Sequence, residues 1–450
     1  MALTYEEAVK YLYGLINYEK ISFSYSDLKL DRMRELVNRL SNPQNDFPSI
    51  LVAGTKGKGS TAYFLERLFL AWGWKCGFYT KPHLLTFRER IRLEGNLIPA
   101  QDLANLVEEI KPVVEEMRNS PWGRPTYFEA SVALAFLYFS RKKVDVAVIE
   151  VGLGGRLDAT NVCEPQLTVI TPISFDHTDV LGDTLSAIAR EKAGILRKGI
   201  KLVLLPQEEE ARKTILKEAQ EKSAPVSEVE KECRWQILSR EKSGSLFSFS
   251  IGDWGEGVCS LSLLGDHQVV NFLSALLAAR EWGLSFDQQK LGRALKDLYW
   301  PGRIQVLSLE PLVVFDVAHN QASFSQLIKT LQDFLGMEKA VFLLGLLEGK
   351  DYIGIAQELK GFTSRVFLTL PLNPKAILPQ IISPYLKREG IEVEIVKDLF
   401  QARDLAFQFA QEEKLPLVTA GSFYLAPLFA QQLFLPQEEE KAYVDSSRKN

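Results

Sequence analysis

A segment rich in glycine and lysine follows a short apolar run and precedes a stretch of helical period. Its residues are Gly54, Thr55, Lys56, Gly57, Lys58, Gly59, Ser60 and Thr61. Backbone N–H groups in such a turn can surround a phosphate, and the positive end of the following helix adds to the attraction. Lys58 can pair with the β- and γ-phosphates of a nucleotide, and Ser60 or Thr61 can offer a hydroxyl to Mg²⁺. The segment therefore predicts an ATP-binding loop.

The spacing of this loop differs from the general phosphate-loop pattern. Val52 stands where the first glycine belongs, and Gly59 separates the lysine from the serine. A generic kinase or GTPase would need the regular spacing, so the deviation narrows the class of nucleotide-binding protein. A tight turn between a strand and a helix, with no ligand, is the alternative interpretation.

Three further residues are candidate ligands of a metal ion: Glu150, His177 and Lys192. Glu150 ends an apolar strand, where a carboxylate points into the crevice in which open α/β sheets bind ligands; a solvated glutamate after a glycine turn is the alternative. His177 also follows a strand, but Mg²⁺ prefers oxygen ligands, so a hydrogen-bonded structural histidine is the default interpretation. Lys192, within Ala189–Ile195, has the pattern of an exposed charged helix end.

The elements that must position these residues alternate between short β-rich runs and longer helical segments. Strands are predicted at Ser49–Ala53, Lys75–Thr80, Val144–Val151, Gln166–Ile173 and Lys201–Leu205, and helices at about Ser60–Trp72, Glu129–Ser140 and Asn271–Trp282. Arg88–Arg92 has the pattern of a salt-bridged strand. This alternation predicts a parallel sheet with crossover helices. The region from about Ser227 to Leu264 consists of short strand-like runs, which predicts a small antiparallel addition.

A Pro-Gly break at residues 301–302 separates this series from a second one. The second series has strands at Pro311–Val317, Ala340–Leu344, Ser364–Leu370, Glu392–Val396 and Pro416–Ala420. We therefore expect a parallel-sheet ATPase domain with an antiparallel addition over residues 1–303 and a Rossmann-like α/β domain over residues 304–450. The polar segment 437–450 is expected to be frayed.

Composition and charge exclude several classes of protein. The 450 residues are 46% hydrophobic and 24% charged, as in soluble globular enzymes of more than one domain. A net charge of −4 is close to neutral for this size, so no nucleic-acid partner is expected. The four cysteines are far apart, which argues against a zinc site or a disulfide framework. Since neither a signal peptide nor a long apolar run is recognised, we expect a cytoplasmic protein with no membrane partner.

Several segments resemble motifs of the folylpolyglutamate synthase/dihydrofolate synthase family of the Mur ligase superfamily, in the same order along the chain. They are GTKGKGS (54–60), TKPHL (80–84), TYFE (126–129), EVGLGGRLDATN (150–161), DHTDVLG (176–182), HQVVN (267–271), PGR (301–303), DVAHN (316–320) and GSFY (421–424). All four histidines of the chain lie within these segments. The resemblance covers nearly the whole chain, from about Asn42 to Tyr424.

The resemblance implies roles for particular residues. It implies Lys58, Glu150, His177 and Lys192 as catalytic residues, with a metal held by Ser60, Glu150, His177 and Lys192, the lysine being carbamylated. Besides the loop 54–61, it implies nucleotide contacts from Asn271, Arg303, Asp316 and His319. It implies a pterin pocket formed by Thr126, Phe128, Asp158 and Ala159. Two positions depart from the family: Lys81 stands where a serine that binds metal in some relatives is usual, and Phe272 is bulkier than the common residue.

The resemblance implies an ATP- and Mg²⁺-dependent ligase, with K⁺ as an additional candidate cation. Its expected substrates are ATP, L-glutamate, and dihydropteroate or reduced folates, and a monomer is expected. Three alternatives rank below it. They are another Mur-type ligase acting on UDP-muramyl substrates, a P-loop kinase, and a nucleotide-binding scaffold without catalysis.

Overall fold

The computed structural model of the chain describes residues 3–433. The segment 437–450, predicted to be frayed, lies outside the described residues. Within residues 3–433, no helix has both the length and the apolar composition needed to cross a membrane.

The first sheet contains the strands that carry the predicted catalytic residues. They are β1 (Ser49–Ala53), β2 (Cys76–Tyr79), β3 (Ile91–Leu93), β4 (Asn96–Leu97), β5 (Val146–Glu150), β6 (Leu167–Ile170), β7 (Leu202–Leu204) and β8 (Val226–Glu228). Their spatial order is β4-β3-β2-β5-β1-β6-β7-β8. β1 pairs in parallel with both β5 and β6, whereas β3 and β4 form an antiparallel edge. The predicted parallel sheet is confirmed, with this edge as an addition.

Helices cover both faces of the first sheet. They are α1 (Tyr5–Tyr13), α2 (Leu30–Arg39), α3 (Lys58–Ala71), α4 (Ala100–Met117), α5 (Tyr127–Lys142), α6 (Thr178–Leu181), α7 (Leu185–Ala193), α8 (Glu209–Glu221) and α9 (Val229–Glu232). Successive strand residues point to opposite faces, so Leu51 packs in the core with α4 and α5 while Val52 packs in the core with α3. Because both faces are buried, the strands are apolar without alternation.

A small sheet follows, as predicted from residues 227–264. It consists of β9 (Cys233–Glu241), β10 (Gly244–Ile251) and β11 (Gly255–Leu261), which are antiparallel in the order β11-β10-β9. The next helices are α10 (Asp266–Trp282) and α11 (Gln288–Leu295). Phe247 of β10 and Phe272 of α10 share the core that contains α3. This sheet therefore supports the helix that begins at the phosphate loop.

The third sheet has the order β12-β13-β17-β14-β15-β16. Its strands are β12 (Gln305–Leu309), β13 (Leu312–Phe315), β14 (Ala340–Leu344), β15 (Thr363–Leu368), β16 (Glu392–Ile395) and β17 (Leu417–Ala420), and its helices are α12 (Gln321–Leu335), α13 (Tyr352–Leu359), α14 (Pro379–Arg388) and α15 (Leu399–Glu413). All neighbouring strands are parallel except β12, which is antiparallel to β13. Two apolar clusters lie on its two faces. The predicted α/β unit is confirmed.

Two local predictions need correction. The helix after the phosphate loop begins at Lys58 rather than Ser60, because Gly57, with a φ of 79°, turns the chain directly into α3. Only Ile91–Leu93 of the expected strand around Arg88–Arg92 is a strand. Residues Phe87–Arg90 form a 3₁₀ turn, because the Thr86 and Glu89 side chains cap each other's backbone N–H groups.

The linker into the third sheet is fixed to the helix of the phosphate loop. Trp300 stacks on Tyr63 of α3 with ring centroids 4.8 Å apart and planes 9° from parallel. The Tyr299 backbone N–H donates to the Tyr63 hydroxyl at 3.0 Å. Gly302, with a φ of 73°, then turns the chain toward β12. The linker to the second half of the molecule is thus held against α3, the helix that begins at the phosphate loop.

Candidate active site

A cavity of about 540 Å³ lies between the carboxyl ends of the strands of the first and third sheets. The predicted site residues that line it are Gly54, Thr55, Lys56, Gly57, Lys58, Gly59, Ser60, Thr126, Phe128, Glu150, Asp158, Ala159, His177, Lys192, Asn271, Arg303, Asp316 and His319. Thr61 is the exception. It is fully buried behind the loop, where its hydroxyl donates to Asn271 Oδ1 at 3.5 Å.

The phosphate loop joins β1 to α3 and presents free backbone donors. The N–H groups of Thr55 and Lys56 donate to the Pro172 carbonyl at 3.0 and 3.2 Å, which fixes the start of the loop. The N–H groups of Lys58, Gly59 and Ser60 belong to the first turn of α3, where helices have no internal acceptors for them. These donors and the positive end of α3 make the loop suited to bind phosphate.

Close neighbours explain the glycines of the loop. A Cβ on Gly54 would lie 1.9 Å from Thr171 Oγ1, and one on Gly57 would lie 2.5 Å from Asn271 Oδ1. A Cβ on Gly59 would lie 3.3 Å from Glu150 Oε2 and 3.2 Å from the Trp300 ring. The three glycines therefore stand where the loop packs closely against the end of β6, α10, β5 and the linker.

Three lysines, all shifted in pKa mainly by burial, meet at the loop. Lys58 Nζ donates to the Thr55 carbonyl at 3.2 Å, and Lys192 Nζ donates to the Gly54 carbonyl at 2.8 Å. Burial lowers the pKa of Lys58; burial and then the charge of Lys58 lower the pKa of Lys192 to about 7. Burial also lowers the pKa of Lys56 to about 8. The wall of the cavity beside the loop is therefore positively charged, and its amines lose their protons at lower pH than ordinary lysines do.

Glu150 lies beside this wall because the register of β1 and β5 pairs it with Val52, two residues before Gly54. The carboxylate is 5% exposed, and its Oε2 accepts hydrogen bonds from the Thr80 hydroxyl at 2.5 Å and the Lys81 backbone N–H at 3.3 Å. These bonds hold Glu150 beside the loop, where a Cβ on Gly59 would lie 3.3 Å from Oε2 and 3.6 Å from Oε1.

His177 and Asp176 follow β6 at the same edge. His177 has a left-handed backbone, with a φ of 51°, and burial is the main factor that lowers its pKa, so its ring is neutral at pH 7. Asp176 forms an ion pair with Lys350, which lies in the loop after β14 of the third sheet. Sequence reasoning assigned no role to Asp176 or Lys350.

The far end of the cavity contains the residues implied for a pterin. Phe128 lies in the first turn of α5, and its ring edge rests against Gly152, where a Cβ would be 2.4 Å from it. Asp158 is held by its own loop: Oδ2 accepts from the Leu153 N–H at 2.7 Å, and Oδ1 from the Thr160 N–H at 3.0 Å. An aromatic face beside a fixed, buried carboxylate suits a flat ring that carries N–H donors.

The wall from the third sheet contains Arg303, Asp316 and His319. Asp316 Oδ2 accepts from the Ile304 N–H at 2.8 Å and Oδ1 from the Ala318 N–H at 2.7 Å, so this carboxylate shapes the linker as well as lining the cavity. Burial raises the pKa of Asp316 and lowers that of Arg303. The Arg303 guanidinium lies 5.4 Å from the centre of the Phe423 ring. Its planar fork can bind a phosphate.

His83 lies in one of the motif segments but has structural partners. Arg90 Nε donates to His83 Nδ1 at 2.8 Å, and His83 Nε2 is 3.0 Å from the Tyr13 hydroxyl. Arg90 is fully buried and also forms an ion pair with Glu19. This cluster fixes the N-terminal segment to the sheet edge.

The residues around the loop fit one hydrated Mg²⁺. Mg²⁺ is commonly bound by one or two carboxylates together with phosphates and water, and Ser60 and Glu150 Oε1 can supply such oxygens beside the loop. Among residues 3–433, no three His, Cys, Asp or Glu side chains converge as a ready metal site. On the side of His177, the Lys81 side chain brings an ammonium group that cannot act as a ligand, so this corner does not fit a second divalent ion.

Comparison with known proteins gives two matches to family models. Residues 52–279 match the Mur ligase middle domain, and residues 302–423 match the Mur ligase glutamate ligase domain. The chain is 35% identical over 387 residues to the dihydrofolate synthase/folylpolyglutamate synthase of Bacillus subtilis, covering 84% of this chain and 88% of that protein. It is 32% identical over 402 residues to the protein of the same name from Escherichia coli, covering 88% and 89%.

Solved structures agree with these matches. The Mycobacterium tuberculosis folylpolyglutamate synthase complexed with ADP superposes with a TM-score of 0.86 at 30% identity, covering 96% of this chain and 99% of the other. The E. coli FolC in complex with DHPP and ADP gives a TM-score of 0.81 at 29% identity, covering 100% and 99%. The order of motifs, the two family models and these relatives agree, and the chain belongs to the dihydrofolate synthase/folylpolyglutamate synthase family of Mur ligases.

Proposed function

We propose that this protein is an ATP-dependent ligase that joins L-glutamate to dihydropteroate, to the γ-carboxylate of reduced folates, or to both. The observation that carries this proposal is one continuous cavity, which runs from the lysines of the phosphate loop to Phe128 and Asp158. A nucleotide at one end and a pterin at the other would place a carboxylate beside the γ-phosphate.

In the first step, an oxygen of the substrate carboxylate attacks the γ-phosphorus of ATP. The bond from that phosphorus to the β,γ-bridging oxygen breaks, ADP leaves with the electron pair, and an acyl phosphate forms. Lys58, the N-terminal amides of α3 and the Arg303 fork would bind the phosphates and balance their charge. When bound beside Ser60 and Glu150, Mg²⁺ would neutralise further charge on the phosphate oxygens.

In the second step, the glutamate amine attacks the acyl carbon, and inorganic phosphate leaves as the amide forms and the amine loses a proton. Holding the two reactants together can supply an effective concentration on the order of 10⁵ M. In this proposal residues 1–303 and 304–450 act as two domains that close on each other, which would exclude the water that hydrolyses acyl phosphates. We propose that the chain works as a monomer.

Lys192 carries a specific part of the proposal. Carbamylation requires a neutral amine, and burial beside Lys58 lowers the pKa of Lys192 to about 7. The carbamate would convert a buried amine beside the phosphate loop into an anion with two oxygens, able to orient the Mg²⁺ bound there. Lys192→Ala should abolish ligation, and acetate should restore part of the activity. The matched control is Lys198→Ala, which changes an exposed lysine just after α7, the helix that contains Lys192. Full activity of Lys192→Ala would remove the carbamate from the mechanism.

The alternatives fit less well. A P-loop kinase would not require a glutamate ligase domain, and residues 302–423 match the model of such a domain. A ligase for UDP-muramyl substrates should lack the pairing of TYFE with LDATN around Gly152. A scaffold without catalysis would be expected to have lost Lys58 or Glu150, and both line the cavity.

The test is to incubate the purified protein with ATP, Mg²⁺, L-glutamate and either dihydropteroate or tetrahydrofolate. We expect ADP release and a product whose mass has increased by one glutamyl residue. Product from one acceptor alone establishes a single activity. If neither acceptor gives product, the folate assignment is wrong.

A further inference from the structure

Lys81 occupies a corner of the cavity where the sequence departs from the family pattern. It follows β2, and because Tyr79 pairs with Ile149 in the parallel register of β2 and β5, residues 80 and 81 lie beside Glu150. The Thr80 hydroxyl and the Lys81 N–H both donate to Glu150 Oε2. Lys81 lines the same cavity as Lys58, His177 and Lys192.

A divalent cation does not fit this corner. An ammonium group has three donors and no lone pair, so Lys81 cannot coordinate a metal ion. Glu150 Oε2 already accepts two hydrogen bonds, which leaves Oε1 to an ion at the phosphate loop. Within the described part of the chain, acidic and histidine side chains do not gather into a set of three that could hold an ion.

The positive charge that phosphoryl transfer needs is nevertheless available there. Burial has the largest effect on the pKa values of Lys58, His177 and Lys192, and the charge of Lys81 lowers all three as well. The Lys81 ammonium group is therefore close enough to interact electrostatically with each of these side chains. A compact ammonium on a flexible stem acts as a point charge for phosphate oxygens.

We propose that Lys81 is a catalytic residue that contacts the transferred phosphoryl group and takes the place of a divalent cation between Glu150 and His177, so that the reaction uses a single Mg²⁺, at Ser60. This inference rests on the proposed ligase function. As the γ-phosphorus passes from the bridging oxygen of ADP to the acceptor carboxylate, its peripheral oxygens stay negative, and the Lys81 ammonium balances that charge without forming or breaking a bond.

The test counts Mn²⁺ ions bound with nucleotide, using electron paramagnetic resonance of free Mn²⁺. With the non-hydrolysable analogue AMPPCP, the wild-type protein and Lys81→Met should each bind one Mn²⁺ per chain. Lys81→Ser, which introduces an oxygen ligand, should bind two. A second Mn²⁺ in the wild-type protein, or a single one in Lys81→Ser, overturns the proposal.

Nucleotide affinities provide an independent readout by isothermal titration calorimetry. Lys81→Met should weaken AMPPCP binding by at least about tenfold, as expected for loss of a charged contact of roughly 1.5–3 kcal/mol. ADP, which lacks the transferred group, should bind as to the wild-type protein, and this unchanged affinity also shows that the variant is folded. Equal losses for both nucleotides, or none for either, contradict the contact. Failure of the wild-type protein to bind any nucleotide would instead refute the proposed ligase function.

Discussion

Lys350 Nζ lies 2.9 Å from Asp176 Oδ1, and this ion pair joins the loop after β14 of the third sheet to the loop after β6 of the first. Both side chains are largely buried, at 12% and 15% exposure. His319 Nε2, also from the third sheet, lies 3.9 Å from Oδ2 of the same carboxylate. Although burial raises the pKa of Asp176, the contacts with His319, His177 and Lys350 hold it well below its ordinary value. An ionised Asp176 therefore bridges the two sides of the cavity.

Breaking this pair should open the cavity. We expect Lys350→Met and Asp176→Asn each to lower kcat/KM by about 10- to 100-fold, because removing one partner of a buried pair leaves a costly unpaired group. Small-angle X-ray scattering should show a larger radius of gyration for both variants with nucleotide bound.

The matched control is Lys360→Met, which removes an ion pair between the exposed Lys360 and the partly buried Glu389 in the same half of the molecule. Its activity should stay within about twofold of the wild-type value, because surface pairs contribute little. Unchanged scattering and activity in Lys350→Met would contradict the bridging role of the pair.

Gly57 should be more sensitive to substitution than its backbone angle alone predicts. Gly57 and Gly73 have similar φ values of 79° and 84°. A Cβ added to Gly57 would lie 2.5 Å from Asn271 Oδ1, whereas a Cβ added to Gly73 would have no neighbour within 4 Å. Gly73→Ala should cost about 1 kcal/mol of unfolding free energy from the left-handed backbone. Gly57→Ala should cost more and should also weaken ATP binding, because the first turn of α3 must move. Equal effects in thermal unfolding and nucleotide titration would show that packing against Asn271 is unimportant.

The parts of the site that depend on local pattern were predictable from the sequence. Glycines after an apolar run identify the phosphate loop, and a carboxylate at the end of another buried strand identifies Glu150 as a residue of the same edge, because parallel strands end at the same edge. The Asp176–Lys350 pair was not predictable, since its members are 174 residues apart and belong to loops of different sheets. Likewise the role of His83 depends on Arg90 and Tyr13, which only the folded chain brings together.

Binding of nucleotide should take up protons at slightly alkaline pH. Burial lowers the pKa of Lys56 to about 8, so near pH 8 about half of this side chain is neutral in the free protein. Phosphates nearby favour the charged amine and raise this pKa, so binding must add protons. Calorimetric titration with AMPPCP in buffers of different ionisation enthalpy should show uptake at pH 8 that diminishes toward pH 6, where the amine is already charged.

Lys56→Gln should lose part of this uptake, while Lys360→Gln, at an exposed position, should retain it. Proton release at pH 8, or the same uptake in Lys56→Gln, would show that Lys56 does not respond to the phosphates.

Phe128 should determine affinity for the pterin and not for ATP. The Phe128 ring and the Asp158 carboxylate both lie close to Gly152. A Cβ on Gly152 would be 2.4 Å from the ring and 2.8 Å from the carboxylate, so only the backbone of Gly152 fits between these two sides of the pocket. Phe128→Ala removes the wall and leaves Asp158 fixed by Leu153 and Thr160. Loss of ring contact should raise the KM for dihydropteroate about tenfold, as an aromatic pair contributes roughly 0.5–1.5 kcal/mol beyond buried area. The KM for ATP should not change, and Phe407→Ala, an exposed phenylalanine of α15, should change neither. A parallel rise for ATP and dihydropteroate would instead indicate that Phe128 supports the fold of α5, since a contact specific to the pterin cannot weaken the binding of the nucleotide.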